Sequence, residues 1–180
     1  MSNAREGATV LETSRLRLRR MMSEDVDELL RIFADPVAMQ YYPSTRDRPQ
    51  VEDWVRWTQD NYRRFGVGLW VVEAKDTGAF LGQCGIVPQA VHDVVEWEIG
   101  YLFVRAHWGH GYATEAARAC RDHGFLRLGA PHLISLINPA NTPSIAVARR
   151  NGMHARERAL FHQQEVDVYV ITRAEWVALT

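Results

Sequence analysis

The chain has 180 residues, 47% apolar and 24% charged, and its 21 Lys plus Arg against 22 Asp plus Glu give a formal net charge of −1. That length suits one ordinary domain, and the composition excludes wholesale disorder. Near-neutral charge argues against a nucleic-acid binder that works through a basic surface, and no apolar run approaches the ~20 residues of a membrane span. Residues 1–8 read as a disordered N-terminus with a cloning remnant at Ser2-Asn3-Ala4, without a signal-peptide pattern, and residues 9–180 read as one domain. Cys84 and Cys120 are the only cysteines, neither in a CxxC, so no disulfide framework or thiolate metal site is expected and a cytoplasmic setting is.

In chain order, Thr13 to Arg20 alternates, with Leu16 and Leu18 on one side and Arg15, Arg17 and Arg19 on the other, predicting a half-buried strand. Ser23 is a candidate N-cap for a helix burying Leu29, Leu30 and Phe33. After a loop with Pro36, Tyr41, Tyr42, Pro43 and Pro49, a second helix is predicted from Gln50 to Phe65, with Val51, Trp54, Val55, Thr58 and Tyr62 at helical spacing. Leu69–Ala74 and Phe80–Val87 read as strands joined by a turn at Lys75–Gly78, and Val94–Val104 as a longer one. A helix opens at Gly109 and Gly111 and runs to about Leu128. A strand follows at His132–Ile137, then a turn at Pro139–Thr142 and a helix from Pro143 to about Gly152. Two last strands, His154–Leu160 and Val166–Thr172, flank Phe161–Glu165. This order predicts an α+β fold, a mixed and mostly antiparallel sheet flanked by helices.

The chemical signal is the junction Tyr101-Leu-Phe-Val-Arg-Ala-His-Trp-Gly-His-Gly-Tyr-Ala-Thr-Glu-Ala116, a strand running through two glycines into a helix. Glycine admits positive φ and close backbone approach, and a helix N-terminus offers free N–H groups and a positive dipole end. Together they suit a phosphate or pyrophosphate, which Arg105 and a protonated His110 would strengthen. A Walker loop is excluded because no lysine follows the glycines, and a dinucleotide fingerprint is excluded because Thr114 replaces its third glycine. On residues alone a plain capping turn remains an equal reading.

The run EIGYLFVRAHWGHGYATEAA resembles the acetyl-CoA-binding motif of the GNAT acyltransferase superfamily, in particular its RimJ/RimL-like branch. Glu12-Thr-Ser-Arg-Leu-Arg-Leu-Arg19, Thr77-Gly-Ala-Phe-Leu-Gly-Gln-Cys-Gly-Ile86 and Asn141-Thr-Pro-Ser-Ile-Ala-Val-Ala-Arg-Arg-Asn-Gly-Met153 resemble three further motifs in the family's order, so the likeness spans Glu12 to Thr172. The resemblance implies one N-acetyltransferase domain with a splayed pair of central strands. Its implied activity is transfer of acetyl from acetyl-CoA to a primary amine by direct attack in a ternary complex. A protein N-terminal amine is the first acceptor class and a small amine, aminoglycoside- or polyamine-like, the second. The chain would act as monomer or homodimer, with no nucleic-acid or membrane partner.

By the same resemblance, Leu102, Phe103 and Val104 would pair with the pantetheine arm in the manner of an added strand. His107, Trp108, Gly109, His110, Gly111, Tyr112, Ala113 and Thr114 would hold the pyrophosphate through backbone N–H groups. Asn141 would bond near the thioester. Two departures stand out: Ala106 sits where Gln or Arg is usual, and Ala148 where many members carry a tyrosine acid. Ser144 matches the branch's serine near the thiol and would stabilise the leaving thiolate by a hydrogen bond. Ala148 also keeps open a non-catalytic acyl-CoA sensor.

An ammonium must lose a proton before it can attack, so a base is required. Glu96 and Glu98 lie two apart on one strand, hence on one face, and the family pattern favours Glu98. Tyr41, Tyr42 and Arg46 fall in the loop expected to cap the acceptor cleft, and Trp70, with Trp54 and Trp57, is a candidate for its lining as well as for the core. His107 and His110 lack a carboxylate at ligand spacing, so no metal site is expected.

Overall fold

The computed structural model describes residues 7–180; residues 1–6 of the expected N-terminal segment lie outside the described residues. Strands β1 (Thr9–Glu12) and β2 (Leu16–Arg20) form an antiparallel hairpin, closed by Thr13 N–H donating to Leu16 C=O at 2.9 Å. The alternation predicts a single strand from Thr13; instead Thr13 to Arg15 are spent on a turn. Leu16 and Leu18 point inward as expected, but Arg19 is buried too. Its guanidinium reaches Glu73 Oε1 at 2.7 Å and Asp25 Oδ1 at 2.7 Å, and these bonds outweigh the burial that opposes its charge.

Ser23 is not an N-cap. Residues Ser23–Asp25 form a 3₁₀ turn in which Asp25 Oδ2 accepts the Met22 N–H at 2.7 Å, and α1 (Val26–Phe33) follows. Helix α2 (Arg48–Phe65) starts two residues before Gln50, because Asp47 accepts the Gln50 N–H while Gln50 Oε1 accepts the Asp47 N–H. Then come β3 (Leu69–Ala74), β4 (Phe80–Val91) and β5 (Val94–Phe103). Strand β4 outruns the predicted Val87 because a tight turn at His92-Asp93 (φ 48° and 63°) carries the hairpin four residues further. Helix α3 (Tyr112–Leu126), β6 (His132–Ile137) and α4 (Thr142–Arg150) complete the central part. Strands β7 (His154–Phe161) and β8 (Gln164–Thr172) make a closing hairpin, again on two positive-φ residues, His162 and Gln163. A last helix, α5 (Arg173–Leu179), is absent from the sequence prediction; Thr172 and Glu175 form its capping box.

All eight strands join in one sheet in the order β1-β2-β3-β4-β5-β6-β8-β7. Every pair is antiparallel except β5–β6, which is parallel and meets only where Glu98 lies opposite Ile134. Beyond that point the two strands part. Cys84 on β4 touches Cys120 of α3 (Sγ–Sγ 3.5 Å), whereas Oε1 of its neighbour Gln83 accepts the Trp54 indole N–H of α2 at 3.0 Å. Consecutive strand residues face opposite ways, so α2 and α3 cover opposite faces. The contact with α3 is close: a Cβ at Gly124 would lie 2.8 Å from Leu133 Cδ1.

Candidate active site

The opening between β5 and β6 is lined by a cavity of about 350 Å³ that reaches Tyr41, Tyr42, Arg46, Trp54, Glu98, Tyr101, Leu102, Asn141 and Ser144. Strand alternation divides its walls. Leu102 is paired with Gln83, on the α2 side, and Glu98 shares its parity; Tyr101 is paired with Cys84, on the α3 side. The cavity therefore passes through the sheet at the splay, with Glu98 aimed to one face and Tyr101 to the other. Tyr101 donates its hydroxyl to the Ser144 C=O at 2.9 Å, joining β5 to the first turn of α4, and burial pushes its phenol well above the ordinary range. Tyr101 is a residue that the sequence reading passed over as part of a strand.

Glu98 is the one carboxylate on this cavity among the described residues. The walls crowd it, and burial raises its pKa from 4.5 to about 7, against hydrogen bonds from Gln89 and the Leu136 N–H (3.3 Å) that favour the charged form. Glu96 shares its face but not its setting. It binds Arg156 through both oxygens (2.8 Å each) and His132 Nε2 at 2.7 Å, and the Arg156 bonds hold its carboxyl below the usual range. It lies outside the cavity as an ion-pair anchor between β5, β6 and β7, so the structure brings one of the two candidate bases to the cleft. Trp70 is the other correction: it is fully buried, edge-on to His123 at 5.3 Å, and belongs to the core beneath α3. Tyr41, Tyr42 and Arg46 do line the cleft.

At the loop, Gly109 (φ 80°) and Gly111 (φ 78°) take the left-handed conformation, and a Cβ on Gly109 would meet nothing within 4 Å. Gly111 is the N-cap of α3 and offers no side chain, so the first helical bond is Glu115 N–H to Gly111 C=O. None of the backbone N–H groups from Gly109 to Thr114 donates to a protein acceptor among the described residues. That is a run of free donors at the positive end of a helix. The turn is held from outside by residues the sequence reading did not weigh. Arg15 bonds the His110 C=O at 2.9 Å, binds Glu115 at 2.6 Å and lies 4.7 Å over the Tyr112 ring, on which His110 also stacks. Thr13 and the Arg15 N–H donate to Glu115 as well; these bonds lower its pKa although burial opposes them. Arg105 is committed in part, its Nε pairing with Asp35 at 3.0 Å. Phe103 and Val104 are also partly committed: Trp108 Nε1 donates to the Phe103 C=O, and the Val104 N–H to Leu81. The stretch of β5 lining the cavity is Glu98 to Leu102.

Asn141 caps α4 by accepting the Ser144 N–H at 3.2 Å; Ser144 lines the cavity, and its hydroxyl has no protein hydrogen-bond partner among the described residues. Among the described residues there is no group of three or more His, Cys, Asp or Glu able to hold a metal, and no helix is long and apolar enough to cross a membrane. A groove of about 810 Å³ runs from Gly111 and Thr114 along α3, bordered by Arg15, Arg118, Arg127 and Arg150.

The family model described as acetyltransferase (GNAT) domain matches residues 15–154. YkkB of Bacillus subtilis (strain 168) is 46% identical over 162 residues, covering 89% of this chain and 94% of its own. The N-acetyltransferase p20 of Bacillus licheniformis is 31% identical over 170 residues, covering 90% and 94%. Among solved structures, an acetyltransferase from Agrobacterium tumefaciens str. C58 superposes with a TM-score of 0.81 at 30% identity, covering 96% of this chain and 99% of its own. The fold is also that of a RimL ribosomal L7/L12 α-N-protein acetyltransferase in complex with coenzyme A (TM-score 0.74, 16% identity, 92% and 98% covered). It is likewise that of the aminoglycoside acetyltransferase AAC(6')-Ib in complex with coenzyme A (0.75, 14%, 91% and 98%).

Proposed function

The chain belongs to the GNAT acetyltransferase family and is an acetyl-CoA-dependent N-acetyltransferase; from that premise we propose that residues 9–180 form one such domain, acting in the cytoplasm on the N-terminal amine of a protein or peptide, as the RimJ/RimL-like branch does. The observation that carries the proposal is Glu98, the cleft's single carboxylate among the described residues, with its pKa at about 7 beside the gap between β5 and β6.

Acetyl-CoA supplies an acetyl thioester, whose C–S bond is exchanged for a C–N bond to the acceptor. The free N–H groups from Gly109 to Thr114 suit its pyrophosphate, and the guanidinium groups along the α3 groove suit its remaining phosphate. Glu98 takes a proton from the acceptor ammonium, directly or through water; at a pKa of about 7 it is deprotonated often enough to accept one and basic enough to pull it. Ser144, a residue of the cavity wall, donates a hydrogen bond to the departing sulfur, the role open to it where Ala148 supplies no acid. Both cysteines are fully buried, so no thiol is accessible as a nucleophile and direct attack follows. Much of the rate comes from alignment, which is worth about 7–11 kcal/mol in well-oriented reactions.

A polycationic acceptor such as an aminoglycoside would find one carboxylate and one guanidinium in this cleft, whereas the amides of Gln83, Gln89, Asn138 and Gln164 suit a peptide backbone. The test is release of free CoA from acetyl-CoA over a panel of N-terminal peptides, aminoglycosides and polyamines. Peptides should turn over with intersecting double-reciprocal plots; turnover confined to polyamines or aminoglycosides would overturn the acceptor class, and no turnover with any amine would favour a sensor.

A further inference from the structure

Arg46 is a cation set into the acceptor cleft without an anion. Its guanidinium lies 4.5 Å from the Trp54 ring centroid and 5.3 Å from that of Phe33, with the backbone fixed by Arg46 N–H donating to the Phe33 C=O at 2.8 Å. Among the described residues it makes no side-chain hydrogen bond and no ion pair. The other charges near it do not compensate: Asp47 spends Oδ1 capping α2, Asp35 is paired with Arg105, and Glu98 is the only carboxylate on the cavity among the described residues. Tyr42 lines the same cavity as both charged groups. A half-buried guanidinium within cation–π distance of two aromatic rings, and without a hydrogen-bond partner among the described residues, keeps its donors available for a carboxylate, which can bind it in a fork. Leaving it unmatched costs free energy, so its presence in a cleft that must also accept an amine calls for an anion brought by the ligand.

We infer that the acceptor carries a carboxylate a short spacer away from its amine, the carboxylate bound by Arg46 while the amine is presented to Glu98. The inference rests on the transferase reading and narrows it. The carboxylate has two sources, the α-carboxylate of a free amino acid or an acidic side chain near a peptide N-terminus, and both offer the same group to Arg46. A guanidinium facing a carboxylate in a partly dry cleft discriminates against the neutral amide by leaving buried donors unpaired, which is worth at least tenfold in kcat/KM.

The experiment uses matched pairs on the intact chain: an amino acid against its amide, and amidated peptides bearing Glu or Gln at the second position. CoA release is followed for the wild type, Arg46→Gln and Arg46→Lys. In the wild type kcat/KM for the acid of at least one pair should exceed that for its amide by tenfold or more. The ratio should approach one in Arg46→Gln and recover in part in Arg46→Lys. Which pair shows the preference identifies the source. Equal rates for acid and amide in the wild type, or a preference that survives Arg46→Gln in protein that still binds CoA, overturn the inference and leave the transferase reading standing. A second arm needs no turnover: N-acetylglycine and N-acetylglycinamide are titrated into CoA-loaded protein while tryptophan emission is followed, since Arg46 lies on Trp54. A carboxylate-specific response in the wild type that Arg46→Gln loses supports the anion site even if no acceptor is acetylated, in which case it is the transferase reading that falls. No response to either probe, with equal or absent turnover, overturns the site.

Discussion

Glu98 shows how the same side chain can serve chemistry and tax stability. Its pKa is raised from 4.5 to about 7 by burial, so the folded protein holds a proton that the unfolded chain would release. Its contribution to stability is therefore present below pH 4.5 and lost as pH rises to about 7. Glu98→Gln should stabilise the protein at pH 8 more than at pH 5, measured by denaturant midpoints at the two values; an equal shift at both would mean the carboxyl titrates normally. Tyr101, by contrast, is neutral at any physiological pH and works as a strut, its hydroxyl bonded to Ser144. Tyr101→Phe should lower kcat by disturbing the first turn of α4, with acetyl-CoA affinity changed by less than about threefold. The sequence separated Glu98 from Glu96 only through a family pattern. What distinguishes them physically is remote in the chain: Arg156 pairs with Glu96 and His132 hydrogen-bonds it, while among the described residues no cation is bonded to Glu98. Trp70 was ambiguous for the same reason, since a strand tryptophan faces core or cleft according to which helix covers it.

At the scale of elements, the glycine turn depends on the β1–β2 hairpin a hundred residues away. Glu115 gathers Thr13, Ser14 and Arg15 into one cluster, and Arg15 reaches on to the His110 carbonyl. Glu115→Gln should raise the acetyl-CoA Kd several-fold by loosening the turn, with little change in kcat at saturation, read by calorimetry and steady-state kinetics. Gly111→Ala should cost about 1–2 kcal/mol because a Cβ is disfavoured at its positive φ. The strand–glycine–helix junction was legible because positive φ writes itself into sequence as glycine. The hairpin clamp was not, because an exposed arginine and a first-turn glutamate are unremarkable locally. Likewise the missed α5 is short and amphipathic without a strong apolar stripe, and its start is marked only by Thr172 and Glu175.

For the molecule as a whole, the central fact is one sheet that opens where its single parallel pair meets at Glu98 and Ile134. The order of elements and the mixed sheet followed from periodicity and turn residues. The depth of the gap, and the passage of the cavity through both faces, follow from register and were not readable in advance. A ligand that fills the gap restores interactions the sheet lacks there. Coenzyme A at 100 times its Kd should stabilise the fold by about 2.7 kcal/mol. At roughly 2–4 °C per kcal/mol for a chain of this size, the melting temperature should rise by about 5–10 °C. No shift would mean that the gap and turn do not form a binding site.

The account stands most directly on proton transfer at the gap, and the pH dependence of kcat/KM with one good acceptor tests it. In the wild type the rate should climb through pH 7 in step with ionisation of Glu98. In Glu98→Gln it should fall by roughly 10²–10⁴-fold, with acetyl-CoA affinity kept and that limb gone, leaving only the titration of the acceptor amine. A limb near pH 7 that survives the substitution, at an undiminished rate, would contradict it.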